Sequence, residues 1–133
     1  MSIISLVSKI FRVDCSHFIK HRFFMNELIR QKIRQYLVHS FLYYQLDESI
    51  ISDQHYDEIC FEVLQLMETD ADAHLLPYHE LVKTSLSDDA SGFSVRKYPA
   101  EIISSAMHLL YQHNPVKSMS FDTFLSRFGY SLS

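Results

Sequence analysis

Residues 43–57 read Tyr43-Tyr44-Gln45-Leu46-Asp47-Glu48-Ser49-Ile50-Ile51-Ser52-Asp53-Gln54-His55-Tyr56-Asp57, a short loop leading into a marked helix start. Ser52 followed by Asp53 is a helix start. The serine oxygen satisfies a free backbone N–H, and a carboxylate in the first turn meets the positive end of the helix dipole. Ile51 and Tyr56 stand at the two positions of a hydrophobic staple. Tyr56, Ile59, Val63, Leu66 and Met67 then recur at helical spacing, which predicts an inward stripe on a helix ending near Glu68. Upstream, Asn26 reads as an N-cap with Glu27 in the first turn of a helix reaching about Gln45, although the pattern over 16–45 fits one helix as well as two. Its stripe is Ile29, Ile33, Tyr36, Leu37, Ser40 and Tyr44. Two amphipathic helices joined by a short loop predict an antiparallel helical hairpin.

Working outward, Ile4, Val7 and Phe11 predict a short first helix over 3–12, and a second helical segment begins near Ser16 and runs towards Phe24. Residues 69–98 are less regular. They hold an acidic break, Pro77, a short helical or extended stretch over 78–84, and a turn at Gly92. Pro99 is expected at the first position of a helix carrying Ile102, Ile103, Ala106, Leu109 and Leu110, which stops before Pro115. Ser120 caps a last helix over 121–128, with Phe121, Phe124 and Phe128 inward and Gly129 ending it. The fold class expected is all-α: one small domain over 1–133, with the hairpin at about 27–68 and further C-terminal helices over 69–133.

Composition agrees. Hydrophobic residues make up 47% and charged residues 21% of 133, with only two glycines and three prolines, which argues against a turn-rich sandwich or a disordered chain. Twelve Lys and Arg face sixteen Asp and Glu, a formal charge of −4 that excludes a globally basic nucleic-acid binder. The charge is unevenly laid out. Residues 20–34 hold five cations and one acid, whereas 47–72 hold nine acids and no Lys or Arg. Two cysteines, Cys15 and Cys60, form no CxxC pair and read as free thiols of a reducing cytoplasm. The N-terminal apolar run is expected to be a helix rather than a leader, and no membrane association is expected. His17 and His21 lie one helical turn apart near Cys15, but no third ligand has metal-site spacing.

The residues that carry chemistry are Tyr43 and Tyr44, Asp47, and Asp53, Tyr56 and Asp57. Asp53 and Asp57 are four apart, so both carboxylates lie on one helix face. Two aromatic faces beside two carboxylates suit a flat, electron-poor, hydroxyl-bearing ligand such as a cationic nicotinamide riboside. The ring would take a cation–π contact, and the acids would accept its hydrogen bonds.

This stretch resembles the small helical N-terminal domain, called domain Ia, of the NAD-dependent DNA ligases. That family carries the pattern Tyr-His/Tyr-x-x-Asp-x-Pro-x-Ile-x-Asp-x-x-Tyr-Asp. Here it is matched without a gap by Tyr43, Tyr44, Asp47, Ile51, Asp53, Tyr56 and Asp57, with Ser49 in place of the proline. The likeness spans about 27–68, roughly a third of the chain. It implies binding of the nicotinamide mononucleotide (NMN) half of NAD, with Tyr43 and Tyr56 stacking on the nicotinamide and Asp53 and Asp57 as polar contacts. Tyr44 takes the position often held by His, and Asp47 matches a loop acid.

None of the six lysines begins the Lys-x-Asp-Gly that carries AMP in ligases. The resemblance therefore implies a module that is non-catalytic alone and binds NAD, NMN or a protein partner, with no nucleic-acid binding on its own. A weaker resemblance, through Ser91-Gly92-Phe93 and Tyr98-Pro99, is to short stand-alone ligase-related proteins of bacteriophages, whose site of action would be the host cytoplasm. Two other roles fit the resemblance. One is the detached subunit of a split ligase, assisting adenylation of a separate catalytic chain; the other is a phage inhibitor of a host ligase or defence protein.

Overall fold

A buried stripe on one long helix organises the chain. The structure, a computed structural model, describes residues 15–70, 72–89, 95, 97–113 and 119–131, with side chains described for those outside 15–23 and 87–89. The helix expected over 3–12, the turn at Gly92 and the side chains of Cys15, His17 and His21 lie outside the described residues. Helix α1 runs Cys15–Ser40 and passes directly into a π-helical turn, Phe41–Gln45. Asn26 therefore sits inside a helix rather than capping one. No Gly or Pro interrupts residues 15–45, and an interior Asn is only mildly unfavourable there, so packing of the stripe overrides the local capping preference. That stripe is Ile29, Ile33, Tyr36, Leu37 and Ser40, all buried.

Helix α2, Asp53–Thr69, starts as its cap residues dictate. Ser52 has extended backbone, and its Oγ accepts from the His55 N–H at 3.1 Å. It buries Tyr56, Ile59, Cys60 and Val63, with Leu66 and Met67 half-buried beside them. Along the α1–α2 contact, Ser40 meets Tyr56 and Lys32 Nζ meets Glu62 Oε2 at 2.6 Å. Residue numbers thus rise along one helix as they fall along the other.

After α2 a 3₁₀ turn, Ala73–Leu75, leads into α3, His79–Asp89. Between them Tyr78 adopts φ +67°, the left-handed region, which reverses the chain before Val82 and Leu86 enter the core. Helix α4, Ala100–Gln112, follows Pro99. The proline is the N-cap residue, one place earlier than its sequence context suggests, since its extended backbone (ψ 145°) keeps it outside the helix. Ile102, Ala106, Met107 and Leu110 of α4 face the core, and α4 packs on α1 and the π turn. Arg34 spans the α1–α4 seam, donating to Ser105 Oγ at 3.0 Å and to Glu101 Oε1 at 3.4 Å. Tyr78 also hydrogen-bonds Glu101, which pushes its phenol above the ordinary value.

The last helix, α5, is Phe121–Arg127, capped by Ser120 Oγ accepting from the Thr123 N–H at 3.2 Å. It ends in a Schellman motif: the Tyr130 N–H donates to Leu125 O, and the Gly129 N–H to Ser126 O, with Gly129 at φ +82°. Among the described residues the fold is helical throughout, and no helix is long and apolar enough to cross a membrane.

His39, at the end of α1, is 8% exposed. Burial lowers its pKa below 6.5, and the charges of His55, at the start of α2, and His113, at the end of α4, push it the same way. Above pH 6.5 the imidazole is neutral in both folded and unfolded chains. As pH falls below that value the unfolded chain takes up the proton first, so stability declines until the lower folded pKa is passed. The unfolding free energy from urea titrations should therefore fall between about pH 7.5 and about pH 5, by up to about 1.4 kcal/mol per pH unit from this one site. His39→Gln should flatten that dependence; identical slopes in the two proteins would show that another group is responsible.

Candidate functional site

The π turn and the first turn of α2 bring four tyrosines together. Tyr56 lies between Tyr36, at a ring-centroid distance of 6.3 Å and 23°, and Tyr43, at 6.1 Å and 13°. Tyr44 meets Tyr43 edge-on at 4.7 Å and Tyr56 edge-on at 6.3 Å. The π turn continues α1 without a break, so residues 43 and 44 both reach the start of α2. Three of the tyrosines matched to the ligase pattern thus converge, and the fourth ring, Tyr36, is a core residue that sequence reading placed only on the inward stripe.

Burial divides this cluster in two. Tyr56 is 7% exposed, and its hydroxyl lies 2.7 Å from Ser40 Oγ. Ser40 Oγ in turn donates to the Tyr36 carbonyl at 2.7 Å. A carbonyl only accepts, so the single Ser40 proton is committed and the Tyr56 O–H is the donor to Ser40. Tyr43, by contrast, is 39% exposed.

The sandwich expected from the resemblance, a nicotinamide ring held between Tyr43 and Tyr56, is not formed by these side chains. A ring inserted between two others needs about 7 Å between their planes, two contact distances of about 3.5 Å. Nearly parallel rings with centroids 6.1 Å apart are closer than that. Tyr56 is therefore a packing residue that supports Tyr43, and only the side of Tyr43 turned away from Tyr56 remains for a ligand.

Asp53 and Asp57 are both exposed, and neither carboxylate has a hydrogen bond or ion pair among the described residues. Asp53 occupies the first position of α2, where the dipole accounts for it. Capping does not explain Asp57, one turn later on the same face. Asp47 has φ +55°, the left-handed conformation that Asp tolerates better than most residues, so the loop acid of the pattern has a backbone role. Ser49, where the pattern has proline, makes its own loop closure by donating to Ile51 O at 2.6 Å. Next to it, the Glu48 N–H donates to Leu42 O at 2.8 Å, fastening the loop to the π turn.

These assignments separate by mutation. Tyr56→Ala should cost about 3–5 kcal/mol in chemical denaturation, as for a buried aromatic, and Ser40→Ala about 1–3 kcal/mol by removing the buried hydroxyl that accepts from Tyr56. Tyr43→Ala should cost less than about 1 kcal/mol. Asp47→Gly should be neutral or slightly stabilising, and Asp47→Val destabilising by about 1–2 kcal/mol; equal costs for the last two would remove the backbone role. Comparison with family models, with curated proteins and with solved structures finds no match to this chain.

Proposed function

We propose that the chain is a ligase Ia-like module, non-catalytic alone, that offers a nicotinamide nucleotide one wall of a site and receives the other wall from a partner protein. The ligand is NMN or the NMN half of NAD. The wall consists of the outward side of Tyr43, flanked by Tyr44, with the carboxylates of Asp53 and Asp57 as acceptors for amide or ribose donors. The observation that carries this reading is the unequal burial of a stacked pair. Tyr43 keeps 39% of its surface in solvent while its inner side rests on Tyr56, itself held through Ser40. An aromatic ring fixed from behind loses little entropy on binding, and a pyridinium over it gains about 0.5–2 kcal/mol.

One wall alone gives weak binding, so the partner of choice is the catalytic chain of a split ligase that lacks its own Ia domain. The partner supplies the lysine and the remaining surface; Tyr43, Asp53 and Asp57 supply orientation. The test is AMP transfer from NAD to such a catalytic chain, with and without this protein. Addition should stimulate transfer, and Tyr43→Ala or Asp57→Ala should lower the stimulation at least about 10-fold while the protein stays folded at the assay temperature. Tyr43→Phe should retain it. Absence of stimulation, together with no NMN-dependent shift of the Tyr43 resonances, removes the proposal.

A further inference from the structure

The loop that carries the ligase-like pattern has a second side. Beyond the tyrosines, Glu48 and Ile50 turn towards the C-terminal helices and line a cleft of about 260 Å³ with the end of α4 and with α5. Its apolar lining comes from Ile50, Leu110, Phe124 and Phe128, of which Leu110 and Phe124 belong to the buried core. Two opposite charges complete it: the Glu48 carboxylate and the Arg127 guanidinium. His113 also lines the cleft, from the cap of α4.

The backbone that carries these groups is fixed. Glu48 follows the left-handed Asp47 and is tied to the π turn by its own N–H. Phe124 packs against Tyr111, Phe121 and Phe128, and Tyr111 donates to Met119 O, which closes the connection between α4 and α5. Arg127 is the last residue of α5, just before the Schellman turn that fixes the helix end. Yet neither charge is used: no ion pair or side-chain hydrogen bond engages Glu48 or Arg127 among the described residues. The helix dipole accounts for a cation at the end of α5. It does not account for a carboxylate brought to the same apolar cleft from the loop before α2.

A concavity that joins apolar surface to convergent polar groups is a usual form of small-ligand site; this one is lined about equally by both and is just below the size that takes drug-like molecules. The polar groups specify the ligand's charges. Arg127 suits a carboxylate, which a guanidinium can bind through two parallel hydrogen bonds; Glu48 suits an ammonium. We infer that this cleft binds a small zwitterion with an apolar body, an apolar α-amino acid being the simplest such ligand, with its side chain against Leu110, Phe124 and Phe128. The site is separate from the Tyr43 wall and does not depend on it.

Charge-deleted probes test the inference. L-phenylalanine should bind the full chain with a Kd on the order of 1 mM, read from amide chemical shifts of residues 48–50, 110–113 and 124–128. Phenethylamine, which lacks the carboxylate, and 3-phenylpropionate, which lacks the ammonium, should each bind about 10-fold more weakly. Glu48→Gln should weaken L-phenylalanine and phenethylamine but not 3-phenylpropionate. Arg127→Gln should weaken L-phenylalanine and 3-phenylpropionate but not phenethylamine. Both residues are exposed, so neither change should alter the melting temperature. Tyr43→Ala should leave all three affinities unchanged, which keeps the result independent of the nicotinamide reading. Unshifted spectra at about 10 mM L-phenylalanine, or equal affinities for the three probes, would overturn the inference.

Discussion

Two hydroxyl relays that meet on Tyr36 lock three helices together. Tyr56 of α2 donates to Ser40 of α1, which donates to the Tyr36 carbonyl. The Tyr36 hydroxyl lies 2.7 Å from Ser85 Oγ of α3, and Ser85 Oγ donates to Val82 O. By the same proton count Tyr36 donates to Ser85. Tyr36, Ser40, Ser85 and Tyr56 are all buried, where an unmatched hydroxyl would cost about 1–3 kcal/mol. A slide of α1 past α2 by one residue would break the Tyr56–Ser40 bond that joins them. Apolar packing of Ile33, Ile59 and Val63 tolerates small slides better, because it is non-directional. The relays therefore set register, and the apolar stripes supply most of the stability.

This constraint shapes the candidate site. Because Tyr56 is spent on register, the ring in front of it, Tyr43, is both backed and exposed, and the site becomes a wall rather than a slot. The same loop that ends the tyrosine cluster is pinned at Asp47 and Glu48, and it presents Glu48 and Ile50 to the opposite side. One short connection thus presents two faces, each built on residues whose packing or backbone conformation is already fixed by the core.

Much of the architecture was legible in the residues themselves. Ser52 and Ser120 cap as hydroxyls before helical runs do, Gly129 stops α5 because it alone reaches φ +82° without strain, and the stripes of α1, α2 and α4 follow from 3.6-residue periodicity. Three features were not. Asn26 carries a local capping signal that the long stripe of α1 overrides. The π turn at 41–45 leaves no mark in composition or period. Tyr56 occupies a staple position compatible with either core or surface, and sequence cannot say which side of its ring another tyrosine covers.

Local sequence is enough to make the chain helical, to cap α2 and α5 at Ser52 and Ser120, and to bring Tyr43, Tyr44, Asp53, Tyr56 and Asp57 about one loop, because these follow from contacts within a few residues. Only the packed helices place Tyr56 inside and Tyr43 outside, give the buried phenols their partners Ser40 and Ser85, and bring Glu48 and Arg127 to the lining of one cleft. Each of these depends on how helices distant in sequence are rotated about their axes. That rotation is settled by the joint packing of the whole core, to which no single segment holds the answer.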